Sequence, residues 1–316
     1  MRLNPKITVL MPVFNGETHV EKSIDSVLAQ TFTEFEFIIV NDGSKDKTPE
    51  ILDQYARQDE RIKVYSNQKN RGIVDSLNLG LEKAETGYIA RMDADDICRL
   101  SRLDKQYNYL ENHRDCILVG TQANLIDAEG NIKGETSLPA LDTDIRRELF
   151  YGRNVIFHST VMFKNDFKFL YRNYAYPAED YDLWLRLLNK GKAHILNECL
   201  MDYRLNPGGI SFLNAIRQIE ITKKIRDEVL LKMEIGDMPP TKPGRIKKFY
   251  SKVLKKMSSS KTHSVEWTLL KILTILLNPS DLLHIKNFRW IEKYRYYRDY
   301  ISFVHGFRED HTGEAK

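Results

Sequence analysis

The first hundred residues alternate between two hydrophobic periods, and this alternation constrains the fold more than any other feature of the chain. Short runs of buried-strand type alternate with segments whose apolar residues recur at helical spacing. The predicted strands span residues 6–12, 35–40, 61–66 and 87–92, and the predicted helices span 17–30, 47–58 and 72–84. Such strand–helix repeats form βαβ units, so we predict a parallel sheet with helices on both faces.

Polar side chains cluster where these predicted strands end. They are Asn15 and Glu17, Asp42, Asn70 and Gly72, and then Asp93 and Asp95. Ligands of open α/β sheets bind in the crevice beyond the carboxyl ends of the strands. The shared location therefore predicts a ligand site at this edge of the sheet.

The stretch "RMDADD" (91–96) places three carboxylates within four residues at the end of a buried strand. An EF-hand loop is excluded, because its sixth position would be Cys98 where glycine is required. An aspartyl-nucleophile phosphatase would need a threonine where Ile97 stands. An ordinary acidic surface loop remains possible. Paired carboxylates can instead hold Mg²⁺ or Mn²⁺ together with substrate phosphates, which indicates a nucleoside diphosphate as the partner.

Beyond residue 100 the pattern changes. We expect a helix over 101–113, a hairpin after the strand "CILVGTQANLID", a strand over 153–163, a helix over 178–191 and a last strand over 193–206. The composition shifts again near 206–212 ("NPGGIS"). Residues 1–210 are therefore predicted to form the main domain, with halves 1–100 and 101–210, followed by a helical extension over 211–316.

Charge is unevenly distributed along the chain. The net charge is +4, but residues 241–300 contain fourteen Lys or Arg and four Asp or Glu. This basic, aromatic tail is of a type that lies on anionic membrane surfaces, although such charge runs are often simply solvated.

The three cysteines form no CxxC pair, which disfavours a structural zinc site, and no apolar stretch is long enough to span a bilayer. We predict a cytoplasmic protein, peripheral on the inner face of the cell membrane, with no nucleic-acid partner.

Four segments, "ITVLMPVFNGETHVEKSIDSVLAQTF", "FIIVNDGSKDKT", "NRGIVDSLNLGLEKAETGYIARMDADD" and "AEDYDLWLRL", resemble in order the signatures of family 2 glycosyltransferases. The resemblance covers roughly residues 6 to 205. It implies the GT-A fold, a Rossmann-like mixed sheet flanked by helices, and an inverting, metal-dependent transfer from a nucleotide sugar. It also implies bacterial surface polysaccharide synthesis, such as O-antigen or capsule.

The resemblance assigns roles position by position. Donor binding, with Asp42 on the uracil ring of a UDP-sugar, is implied for Pro12, Val13, Asn15, Glu17, Asp42, Asn70, Gly72, Asn78, Asp93, Ala94, Asp95 and Arg204. Asp95 and Asp93 resemble the ligands of Mn²⁺ or Mg²⁺. Arg204 is expected to reach the diphosphate and Arg71 to touch a phosphate or remain solvated. Asp96 could either hold the metal ligands in place or cap the following helix, and the cap is the favoured interpretation.

A second acidic group, "AEDYD" (178–182), resembles the segment that supplies the catalytic base. Asp180 is the predicted base, with Asp182 as its rival, because only one of the two can face the site from a helix. Alternatively, carboxylates of this group only complement the dipole at the start of the helix. His158 and Trp184 are interpreted as core residues. The Gln-x-x-Arg-Trp motif of processive members is absent from the matching region, which favours addition of a single sugar. The resemblance implies a glycan acceptor linked to polyprenyl diphosphate.

The sequence disfavours two other functions. A nucleotidyltransferase that forms sugar nucleotides would need an early Gly-rich loop with Arg and Lys, which the sequence lacks. A non-catalytic nucleotide-sugar or membrane-binding protein is disfavoured because Asp93, Asp95 and Asp180 are all present.

Overall fold

The computed structural model describes residues 4–206 and 213–232. Along the chain the described elements are β1 (Ile7–Val13), α1 (Val20–Leu28), β2 (Phe35–Asn41), α2 (Thr48–Gln58), β3 (Ile62–Ser66), α3 (Ile73–Lys83), β4 (Tyr88–Arg91), β5 (Ile97–Cys98), α4 (Arg102–Asn112), β6 (Cys116–Ile126), β7 (Ile132–Glu135), α5 (Asp142–Phe150), β8 (Met162–Lys164), α6 (Glu179–Leu188), β9 (Lys192–Arg204) and α7 (Ala215–Lys232).

The strands form one mixed sheet in the order β3-β2-β1-β4-β8-β6-β9-β5, with β7 paired to β6. The four strands of the first half are parallel, as their strand–helix alternation predicts. Strand β8 runs antiparallel to both β4 and β6 and thereby joins the two halves. The predicted α/β fold with a mixed, helix-flanked sheet is confirmed.

Both faces of the central strands are covered, which explains why β1 and β2 are largely apolar and buried along their length. Successive residues of β1 alternate between two clusters: Leu10 packs with Trp184 and Leu77 on one face, while Val9 and Met11 pack on the other. This division leaves the strand ends and their loops as the polar part of the sheet.

The predicted strand over 153–163 is wrong in its extent. Only Met162–Lys164 pairs in the sheet, and His158–Thr160 form a single 3₁₀ turn. The apolar residues before them lie in a loop and not in a β-ladder. Among them, Ile156 is buried in the core at 1% exposure. The sequence correctly indicates an apolar segment here, but the predicted strand conformation is wrong.

Helix α7 begins beyond the predicted boundary at residue 210 and packs against the preceding part of the chain. Its Ile225 is buried in the same cluster as Trp184, and the Gln218 amide donates to the carbonyl of Pro177 at 3.0 Å. The first compact unit of the chain accordingly runs from Met1 to Leu231. The division into domains at 210 stays a prediction, and the basic tail lies outside the described residues.

Candidate active site

The loops after β1 and β2 are bound to each other at the carboxyl edge of the sheet. The Asn15 side-chain carbonyl accepts the Lys45 N–H at 2.9 Å, and the Glu17 carboxylate accepts the Lys47 N–H at 3.0 Å. Pro12 and Val13 occupy the last two positions of β1. Because β1 and β2 are parallel neighbours, these predicted donor-binding residues form one continuous rim.

Asp42 lies almost fully buried beside this rim, at 4% exposure. Its carboxylate accepts the backbone N–H groups of Arg71 at 2.9 Å and Gly72 at 2.8 Å, and the Asn67 amide at 2.8 Å. A carboxylate offers about four acceptor positions, so about one remains for a ligand. The predicted uracil contact is thus held in a fixed orientation by the loop before α3.

The other residues of that loop have mixed placements. Asn70 is exposed and its side-chain carbonyl accepts the N–H of Gly72, the residue that precedes α3. Arg71 is exposed and paired with Asp75 of the following helix α3, as a solvated residue would be. Asn78 exchanges two hydrogen bonds with the backbone of Tyr171, at 2.9 and 2.8 Å. The side chain of Asn78 therefore holds the loop before α6 in place.

Asp93, Asp95 and Asp96 converge directly after β4. One carboxylate oxygen of each lies within 4.8 Å of the others. Burial, and then the charge of Asp93, raise the pKa of Asp95, and the same causes raise the pKa of Asp96 well above its usual range. One oxygen of Asp96 is buried without a hydrogen-bond partner. Crowded, desolvated carboxylates of this kind favour a bound divalent cation, so the donor set fits Mg²⁺ or Mn²⁺.

The interpretation of Asp96 as a helix cap is wrong. Helix α4 begins only at Arg102, and the Asp96 carboxylate accepts the backbone N–H of Arg204 at 2.8 Å. The Arg204 guanidinium in turn donates to the carbonyls of Asp95, Asp127 and Ala128, at 2.8, 2.6 and 2.8 Å. Arg204 is 5% exposed, and its buried contacts hold the acidic turn in place. The backbone of Ala94 is held in the same way by the Ser23 hydroxyl.

Arg91, the last residue of β4, is a site residue that sequence reasoning missed. It is 1% exposed and forms an ion pair with Asp93. Its charge also partly opposes the rise in the pKa of Asp95, of Glu179 and of Asp180, so it acts on both acidic groups. The signal was available: an arginine within an otherwise apolar strand needs an anionic partner.

Helix α6 begins with the second acidic group. Burial, followed by the charge of Asp180, raises the pKa of Glu179 to about 7, and one of its oxygens has no hydrogen-bond partner. Burial raises the pKa of Asp180 to about 6, although part of the residue remains at the surface. Asp182 is 3% exposed and bound to Arg186 at 2.9 Å. Asp180 is therefore the more available of the two rival bases.

Of the two residues assigned to the core, Trp184 is fully buried, whereas His158 is only partly buried. His158 donates to or accepts from the Tyr171 hydroxyl at 2.8 Å, and burial, with the nearby Arg91 charge, holds its pKa well below the usual range. Trp184 is fully buried with its ring edge-on to His158. The described part of the chain contains no helix long and apolar enough to cross a membrane.

Comparisons with known proteins agree with this geometry. Residues 8–176 match the model of glycosyl transferase family 2. The O-antigen biosynthesis glycosyltransferase WbnJ of Escherichia coli is 36% identical over 65% of this chain and 82% of its own. The putative teichuronic acid biosynthesis glycosyltransferase TuaG of Bacillus subtilis is 33% identical over 66% of this chain and 82% of its own.

Solved structures share the fold at low identity. TarS of S. aureus in complex with UDP-GlcNAc aligns with a TM-score of 0.55 and 18% identity, over 71% of this chain and 70% of that one. The mannosyltransferase PcManGT of Pyrobaculum calidifontis, in complex with GDP-Man and Mn²⁺, aligns with a TM-score of 0.57 and 15% identity, over 88% of this chain and 83% of that one.

Proposed function

The chain belongs to the family 2 glycosyltransferases, and from this premise we propose that it moves one sugar from a nucleoside diphosphate sugar to a glycan hydroxyl with inversion. The observation that carries the proposal is the pair of acidic groups that both interact with the Arg91 charge. Asp93 and Asp95 crowd at one strand end, and Asp180 stands at a helix start with its pKa raised to about 6. One group suits the leaving diphosphate and the other suits the attacking hydroxyl.

Asp93 and Asp95 would hold Mn²⁺ or Mg²⁺, which supplies positive charge to the leaving diphosphate. Asp180 would take the proton of the acceptor hydroxyl while that oxygen forms the new bond to the anomeric carbon. A carboxylate with a pKa near 6 is ionised at neutral pH yet basic enough for this transfer. Displacement from the face opposite the diphosphate inverts the anomeric centre.

Two variants test the assignment of the base. Asp180→Asn should lower kcat by about 10²- to 10⁴-fold, which is the usual effect of losing a general base. Asp182→Asn is the matched control, since it makes the same change two residues away in a carboxylate already bound to Arg186. The control should lose thermal stability while keeping kcat within about threefold. Equal losses of kcat, or an active Asp180→Asn enzyme, would contradict the assignment.

The donor is proposed to be a UDP-sugar. Asp42 lies at the carboxyl end of β2 with about one acceptor position unused, which suits the single N–H of a uracil ring. The GDP-Man complex of PcManGT makes guanosine the informative competitor. Release of nucleoside diphosphate should be measured with Mn²⁺ for UDP-glucose, UDP-galactose, UDP-GlcNAc and GDP-mannose. Turnover of GDP-mannose alone would contradict a uridine donor.

The acceptor is proposed to be a growing surface polysaccharide, with polyprenyl diphosphate as its carrier. The names of WbnJ and TuaG support a polysaccharide acceptor. The basic segment 241–300 supports contact with the anionic inner face of the membrane. Full-length protein should sediment with vesicles containing phosphatidylglycerol but not with pure phosphatidylcholine, and a chain ending at 232 should lose this binding. Equal binding of both proteins would contradict a role of the tail.

A further inference from the structure

The carboxylate of Asp180 is held by one hydrogen bond at each oxygen. Oδ1 accepts the backbone N–H of Tyr181 at 2.7 Å, and Oδ2 accepts the side-chain N–H of Asn154 at 2.7 Å. The first bond comes from the same helix and fixes only the near oxygen. The direction of the far oxygen is therefore set by Asn154.

Asn154 is itself held in place. It lies between α5 and β8, and its side-chain carbonyl accepts the N–H of Ile156 at 3.3 Å. Ile156 is 1% exposed within the core. The preceding residue, Arg153, forms an ion pair with Glu148 on α5. Asn154 thus connects the core to the Asp180 carboxylate.

We infer that Asn154 is the positioning residue of the base: it aims Asp180 Oδ2 at the acceptor hydroxyl and stabilises the ionised carboxylate. The inference rests on the proposed function of Asp180. An N–H that donates to a carboxylate favours the charged form of that carboxylate. It also occupies one acceptor position of the oxygen, so the remaining lone pair points in a defined direction. Asn154 touches no reacting atom in this scheme and acts only through Asp180.

Three other polar groups influence the same carboxylate. They are Arg91 at the end of β4, Glu179 beside it on α6, and Tyr171 in the loop before α6. Arg91 favours the ionised form, whereas the Glu179 charge opposes it. Arg91 and Glu179 are unchanged in the Asn154 variants, so a shift in Asn154→Ala is attributable to the lost hydrogen bond, and a larger shift in Asn154→Asp to the added carboxylate.

Asn154→Ala and Asn154→Asp test the inference. The alanine variant removes the donor, and the aspartate variant keeps the acceptor for Ile156 while facing Asp180 with a second carboxylate. Asn124→Asp is the matched control, because Asn124 donates to the buried carboxylate of Asp202 at 2.6 Å outside the site. It makes the same exchange of amide for carboxylate and reports the effect on folding alone.

The pH profile of kcat/KM, measured with the best donor of the screen, is the readout. Its acidic limb should move to higher pH by about half a unit in Asn154→Ala and by about one unit or more in Asn154→Asp. The loss at pH 6 should then be about fivefold or more in Asn154→Asp and recover at least in part at pH 8.5. The limb of Asn124→Asp should not move, and Mn²⁺-dependent UDP binding should be unchanged in all three variants. Unmoved limbs in both Asn154 variants would overturn the inference.

A second measurement needs no substrate. In protein labelled with ¹³C at the aspartate carboxyls, the Asp180 signal can be assigned by its absence in Asp180→Asn and titrated in each variant. Its pKa should rise in both Asn154 variants and stay constant in Asn124→Asp. If Asp180→Asn remains active, the proposed function fails. If Asp180→Asn is inactive but the Asn154 variants leave the Asp180 pKa and the kcat/KM profile unchanged, only this inference fails.

Discussion

At the scale of single residues, the site is defined by carboxylates that are buried without full compensation. Glu179 is the clearest case, because burial and the Asp180 charge raise its pKa to about 7. The folded protein therefore retains a proton that the unfolded chain releases near pH 4.3. Its ionisation destabilises the fold progressively as the pH rises from about 4 to about 7.

Replacement of Glu179 by glutamine removes this titration. The free energy of unfolding of Glu179→Gln relative to wild type should increase between pH 5 and pH 8, by on the order of 2 kcal/mol. Urea unfolding at several pH values measures it, and the difference cancels the opposite contribution of His158, whose pKa is lowered. A difference that is constant with pH would show that the Glu179 pKa is not raised.

The same residues show how far the sequence could predict the site. The positions of Asp42, Asp93, Asp95 and Asp180 followed from strand ends and from the helix start. The partners of these side chains did not, because hydrogen bonds such as that of Asn154 join residues 26 positions apart in irregular loops. No local pattern encodes such a pairing.

At the scale of elements, the site depends on the close approach of two loops. Gly43 has φ +73°, and a Cβ there would lie 2.6 Å from the backbone of Lys69. Only glycine lets the turn after β2 pass the loop that binds Asp42. The Asp-Gly pair in "NDGS" indicates a turn, but the sequence does not reveal the neighbour that makes glycine necessary.

Gly43→Ala should therefore separate these loops. We expect a loss of stability of about 3 kcal/mol, from the left-handed backbone and the clash, together with weaker UDP binding. Gly134→Ala is the control, since a Cβ there meets nothing within 4 Å. Thermal unfolding and UDP titration measure the two effects. Unchanged UDP affinity in a destabilised Gly43→Ala protein would show that the loop contact does not serve the ligand site.

The sequence could predict elements with a regular hydrophobic period. It could not predict elements whose conformation depends on contacts with residues far away in the sequence. Helices α1, α2 and α3 were expected near their observed positions because their apolar stripes face a sheet. The expected strand over 153–163 failed because Ile156 is buried from a loop, and burial alone does not determine backbone conformation. The pairing of β8 between β4 and β6 joins residues far apart in sequence, which periodicity cannot indicate.

At the scale of the whole molecule, the acidic turn and the loops of the first half are expected to act as one donor site. Mn²⁺ should relieve the repulsion among Asp93, Asp95 and Asp96, and a diphosphate would complete its ligand shell. The two ligands then stabilise each other, and linkage requires the effect to be mutual. Mn²⁺ should strengthen UDP binding by the same factor as UDP strengthens Mn²⁺ binding, on the order of tenfold.

Calorimetric titrations of each ligand with and without the other measure this coupling. Asp95→Ala should abolish it while leaving the metal-independent part of UDP binding, because Asp42 and the loop after β1 are intact in that variant. Uridine, which has no phosphates, is the matched control ligand and should bind equally with and without Mn²⁺. Coupling of equal size for uridine and UDP would place the cation away from the diphosphate, and coupling that survives Asp95→Ala would place it away from the acidic turn.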